Sequence, residues 1–129
     1  MKPILALIFC FNVHCYVAQN DTTQIRKNLI GTWKVFSRGT HSLDTLDLKK
    51  VNDDPHPYGN IVMFKKDQLF EDSYSAECGN DTNIHQTQGK WSFNSESKIL
   101  YTTIPIYYHT SKKYKIIYID ELEMVITSQ

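Results

Sequence analysis

Runs of β-forming residues joined by very short links constrain this chain more than any other feature. "KKDQ" (65–68), "NSES" (94–97), "TSK" (110–112) and "DE" (120–121) each separate two segments rich in Tyr, Ile, Phe, Val and Thr. A parallel return between strands needs a dozen residues or more, so links this short suit antiparallel neighbours only. No apolar stripe at helical spacing persists along the chain. The pattern predicts strands over 31–38, 60–66, 69–76, 84–93, 98–104, 106–110, 113–119 and 122–127, with one helical turn at "TQIRKNL" (23–29). Pro105 lacks a ladder donor and so bends or splits the 98–110 stretch. The fold class is all-β: an antiparallel up-and-down meander of about eight strands. Closing it into a small barrel removes both of its edge strands.

One link is long. "THSLDTLDLKKVNDDPHPYGN" (40–60) is polar, carries two prolines, and has room for a turn of helix around Leu43, Leu46 and Leu48. Loops of this length inside compact domains are functional lids or solvated segments, and both readings stay open.

The chain has two tryptophans, and each follows a glycine by two residues: Gly31-Thr32-Trp33 and Gly89-Lys90-Trp91. Barrel closure crowds the backbone, and a glycine admits a close neighbour or a bend that a side chain would resist. A tryptophan two residues on shares that strand face. It can plug the narrow end of a barrel while its indole N–H finds a carbonyl. Gly31, Trp33, Gly89 and Trp91 are therefore read as barrel-closing residues, not catalytic ones.

The same parity argument extends upstream. His85 and Thr87 share a face with Gly89, Trp91 and Phe93. An inward Trp91 brings His85 and Thr87 towards the other end of the interior, where they can orient a ligand. The open alternatives are a strand that turns outward at its start and a histidine satisfied inside a filled core. The later tyrosines, Tyr101, Tyr107, Tyr108, Tyr114 and Tyr118, cluster in the last third of the chain. If "DE" is a two-residue hairpin loop, Ile117, Ile119, Leu122, Met124 and Ile126 form the core face, and Tyr114, Ile116 and Tyr118 face away.

The N-terminus reads as a leader. Lys2 precedes an apolar run from Ile4 to Val13, and polar residues follow Ala18. That layout predicts a secretory signal peptide over 1–18 and one mature domain over 19–129. Cleavage after Cys15 is the rival site. Neither Cys10 nor Cys15 follows the small residue that a lipoprotein signal prefers, so the chain is read as exported, extracytoplasmic and not lipidated. The apolar run is shorter than the roughly 20 residues a spanning helix needs. Cys78 alone survives processing, which leaves no internal disulfide and favours a buried, inert thiol. With 14 Lys and Arg against 14 Asp and Glu, the charge balance offers nucleic acid no basic footprint.

Catalytic and metal chemistry find little support. His41, His56, His85 and His109 form no close pair on one strand face, and Cys-x-x-Cys and His-Glu-x-x-His are both missing. His56 with Asp53 and Asp54 reads as a solvated loop, with a surface metal or ligand contact as the alternative. No nucleophile, base and orienting group can be assembled from spacing, and no nucleophile elbow is present. The chain is expected to be neither an enzyme nor a carrier of a metal or cofactor. Asn20-Asp21-Thr22 and Asn80-Asp81-Thr82 match the glycosylation sequon, which matters only in a eukaryotic source.

"LIGTWKVFS", "IVMFKKDQLFE", Cys78, "GKWSF" and "KYKIIYIDELEMVI", in that order, resemble the bacterial lipocalin-like domain family, common in exported proteins of the Bacteroidota. The resemblance runs from about residue 25 to 127. "KKDQ" stands where the family usually has an Asp-Gly turn, and the C-terminal helix of larger lipocalins has no counterpart. The family spacing implies Tyr114 and Ile116 as inward residues, which requires a longer turn than "DE". It also implies binding of a small apolar or amphipathic ligand without catalysis, through barrel-facing aromatics such as Tyr74 and Tyr101, with His85 or Thr87 orienting it. The alternative is an extracytoplasmic interaction module with a filled barrel, which meets a protein or envelope component through loop 40–60 and exposed tyrosines.

Overall fold

The computed structural model describes residues 22–37, 44–52, 58–76, 85–107 and 109–129. The expected leader with Cys10 and Cys15, the sequon asparagines Asn20 and Asn80, Cys78, His41, Leu43, His56 and Tyr108 lie outside the described residues.

A helix over 22–29 (α1) leads into eight strands: β1 (Gly31–Ser37), β2 (Thr45–Lys50), β3 (Gly59–Phe64), β4 (Leu69–Ser75), β5 (His85–Asn94), β6 (Ile99–Thr102), β7 (Lys113–Ile119) and β8 (Glu123–Ser128). They close into one antiparallel barrel in the order β1-β2-β8-β7-β6-β5-β4-β3. From β3 to β8 each strand pairs with the next in sequence. β1 lies between β2 and β3, and β2 seals the barrel against β8. Among the described residues no helix is long and apolar enough to cross a membrane.

Two strand assignments change, and they offset in the count. The first is β2, which occupies part of the stretch expected to be a long loop. Thr45-Leu46-Asp47-Leu48 alternates, and Leu46 and Leu48 are buried while Asp47 is half-buried and Lys49 exposed. That period-2 pattern makes a strand with one buried face, not a turn of helix. The second is the expected strand 106–110, which does not form. The β5–β6 ladder ends at Trp91–Thr102, and beyond Pro105 the chain turns so that Ile106 is fully buried in the core.

The β7–β8 turn is longer than two residues. Ile119 pairs with Met124, and the Asp120 carboxylate accepts the N–H groups of Leu122 and Glu123 at 2.7 Å each. Such an Asx turn stabilises the wider loop. With a register shift between Ile116 and Tyr118, it buries Tyr114, Ile116, Met124 and Ile126, and leaves Ile117 and Leu122 exposed. The inward assignment of Ile117 and Leu122 is thereby corrected.

At one end of the barrel α1 covers the interior. The Trp33 indole N–H donates to the Leu29 carbonyl at 2.9 Å, and that of Trp91 donates to the Lys65 carbonyl at 2.9 Å. Lys50 donates to the carbonyls of Asn28 and Ile30 at the C-terminus of α1 (2.6 and 2.8 Å), where a cation is favoured, and its Nζ sits 4.6 Å from the Trp33 ring centre. Gly31 is required here. Its φ is +133°, and a Cβ would stand 2.6 Å from Lys50 Cε. Phe64 packs edge-on against Trp91 and tilted against Phe70, with ring centres 5.7 and 5.1 Å apart.

Replacing the buried Trp33 by Ala should lower stability by ~3–5 kcal/mol, read as an earlier urea midpoint. Phe36→Ala, on the exposed outer face, should move it by no more than about 0.5 kcal/mol. Trp33→Ala unfolding at the parent's urea concentration would contradict the packing described.

Candidate functional site

The barrel's other end holds a pocket of about 230 Å³. Cross-strand register builds it in rows. Asn60 on β3, Tyr74 on β4 and His85 on β5 are direct neighbours and form the rim. One row deeper, Asp72 faces Thr87. Deeper again, Phe70 faces Gly89 in the closed core. Among the described residues, Ser73 and Tyr107 also line it.

Alternation along β4 explains why a carboxylate enters the barrel. Phe70 is buried and inward, so Asp72 and Tyr74 share its face. Asp72 Oδ2 accepts the Tyr107 N–H at 2.8 Å. Burial pushes the Asp72 carboxyl above its ordinary value, and the Tyr107 N–H partly offsets this by favouring the ionised form. Tyr107 sits at φ +57°, a left-handed conformation that costs a non-glycine residue ~1–2 kcal/mol. The bond to Asp72 helps hold it there.

The segment that carries Tyr107 also fills the barrel. It crosses β5 at Gly89, where a Cβ would stand 2.5 Å from Thr103 Oγ1 and 3.1 Å from Ile104 Cγ1. Thr103 is tied to Lys90 in both directions: Lys90 N donates to Thr103 Oγ1 (2.8 Å), and Thr103 N donates to the Lys90 carbonyl (2.9 Å). Ile106 then enters the core, where its N–H donates to the Tyr114 hydroxyl at 2.8 Å. That hydroxyl donates in turn to the Ser111 carbonyl at 2.6 Å. Burial first, and the Asp72 charge as well, push the Tyr114 hydroxyl up to about 12, against the Ile106 N–H. It therefore stays protonated and keeps its donor role.

His85, Thr87 and Tyr74 come together at the pocket, with His85 and Thr87 exposed at its edge. The strand carrying them keeps its inward parity but has passed the end of the core. Tyr101 does not join them. It sits between the buried Leu100 and Thr102, points outward, and has Lys113 Nζ 5.9 Å from its ring centre. Sequence reasoning missed Asp72 and Asn60 as site residues, although the alternation Phe70-Asp72-Tyr74 was a usable signal. Tyr107 stood in the tyrosine cluster, but nothing local placed it in a pocket. Among the described residues no group of three or more His, Cys, Asp or Glu is placed to hold a metal ion. Comparison with protein-family models, curated proteins and solved structures finds no match.

The Asp72 shift has a defined sign. Its folded pKa is raised, so above the unfolded value of about 3.9 the folded state holds the proton longer than the unfolded state. The stability it contributes falls as pH climbs through the folded pKa. Asp72→Asn keeps an oxygen for the Tyr107 N–H and removes the charge. The variant should be more stable than the parent at pH 7, with the difference shrinking towards pH 4 in urea titrations. An equal difference at both pH values would contradict it.

Proposed function

We propose that this chain is an exported binding module that takes a small molecule at the barrel mouth without transforming it. The observation that carries this is the division of the interior. Ile106 and Tyr114 are fully buried among the core side chains, and a pocket of about 230 Å³ lies at the mouth. That is below the roughly 300–1,000 Å³ of sites for drug-sized ligands, so a long acyl chain or a large ring system has no place inside. The lipocalin-like order of motifs supports a ligand site at the open end of a barrel. The leader-like first 18 residues support work outside the cytoplasm.

The filled interior also favours a second reading, an interaction module that uses its surface. Among the described residues Phe36, Ile117 and Leu122, each 59% exposed, are the most exposed large apolar side chains it could use.

An amide-resonance titration tests the two together, using a long-chain fatty acid and a set of small polar fragments. The expected result is that fragments shift Asn60, Asp72, His85 and Thr87, and that the fatty acid leaves Trp33 and Phe70 unmoved. Fatty-acid shifts at Trp33 and Phe70 would overturn the filled barrel. If no fragment reaches the mouth residues, the small-molecule reading falls and the interaction module takes its place.

A further inference from the structure

Resting on the mouth-site reading above, we propose that the pocket selects an alkylammonium group on a short apolar body, with Asp72 as the counter-charge beneath Tyr74.

Charge and depth argue for this together. Among the described residues that line the pocket, Asp72 is the one carboxylate, and none is Lys or Arg. The hydrogen-bond donor that reaches the Asp72 carboxylate among the described residues is the Tyr107 N–H, and it occupies Oδ2. A carboxylate taken out of water gains most from a partner that brings both a positive charge and donors. The raised Asp72 pKa points the same way, because burial already works against the lone charge.

Depth sets the ligand's length. Asp72 lies two residues inward of Tyr74 on β4, or ~7 Å along the strand at ~3.4 Å per residue. A bare ammonium ion would reach Asp72 without touching the rim. An amine on a four-carbon chain spans from the floor to the rim, where Tyr74 contributes an aromatic ring that attracts cations and covers methylenes. The pocket volume of about 230 Å³ accommodates a body of this size. A free small amine and the lysine side chain of a partner protein present the same group.

The test is an amide-resonance titration of the full chain and of Asp72→Asn with n-butylammonium, n-butanol, butyrate and Nα-acetyl-lysine methylamide at pH 7. Butylammonium should shift Asp72, Tyr74, His85 and Tyr107 saturably, at least tenfold more tightly than butanol or butyrate, and should lose at least tenfold in Asp72→Asn. The variant's spectrum away from the mouth should match the parent's, which separates lost binding from lost fold. Tighter binding of the lysine derivative than of butylammonium assigns the group to a protein partner, and the reverse assigns it to a free amine; both keep the cation. Butanol or butyrate binding at the same residues as tightly as butylammonium would overturn the cation and leave the mouth site standing. Butylammonium binding that survives unchanged in Asp72→Asn would do the same. Shifts at the mouth with none of the four probes would remove both.

Discussion

The Tyr114 hydroxyl accepts the Ile106 N–H and donates to the Ser111 carbonyl, so one buried oxygen fixes two points of the link between β6 and β7. A backbone N–H turned into a barrel has lost its water and needs a partner, and leaving it unmade costs ~1–3 kcal/mol. With that partner in place Ile106 enters the core and the link cannot stand away from the mouth. The remaining features of the site follow in order. Tyr107 is carried into a left-handed conformation, its N–H meets Asp72, and the space left above them becomes the pocket. The site is therefore the upper surface of a plug, and its floor is a carboxylate that the plug itself half-buries.

The two ends of the barrel use their polar groups differently. At the covered end each indole N–H has a carbonyl, and the Lys50 ammonium reaches two more at the end of α1. Those groups satisfy each other and leave a rigid base. At the mouth the balance is less complete, because burial opposes the charged form of Asp72, which has a single backbone donor among the described residues. The polar groups of the covered end are thus paired with carbonyls, while at the mouth a half-buried carboxylate faces the pocket.

Much of this was legible in the sequence, for identifiable reasons. Short links fixed the antiparallel neighbours β3–β4, β5–β6 and β7–β8, because chain geometry allows nothing else there, whereas "TSK" joins no two adjacent strands because residues 103–112 separate β6 from β7. Parity carried His85 and Thr87 to the pocket from the position of Trp91, since a strand's side chains alternate without exception between bulges. β2 was obscured by the polar composition around it and by the prolines that follow, although Leu46 and Leu48 alternate correctly. The face of β7 was misread because a register shift between Ile116 and Tyr118 breaks alternation, and no residue type announces it. Ile106 and Tyr107 looked like strand residues by composition. What makes them a plug is a hydrogen bond to Tyr114, which tertiary placement alone supplies. Asp72 was passed over because an acid between two aromatics reads as a solvent-facing residue until the aromatic face is known to point inward.

The claim on which the account depends is that Ile106 fills the barrel. Methyl resonances of the isoleucines, recorded with a soluble paramagnetic relaxation agent, measure this directly, with Ile126 (0% exposed) and Ile117 (59% exposed) as internal references. The account predicts that the Ile106 δ-methyl is protected to the same degree as that of Ile126. An Ile106 methyl broadened as strongly as that of Ile117 would mean that the link stands away from the mouth and that the interior is open to a larger ligand.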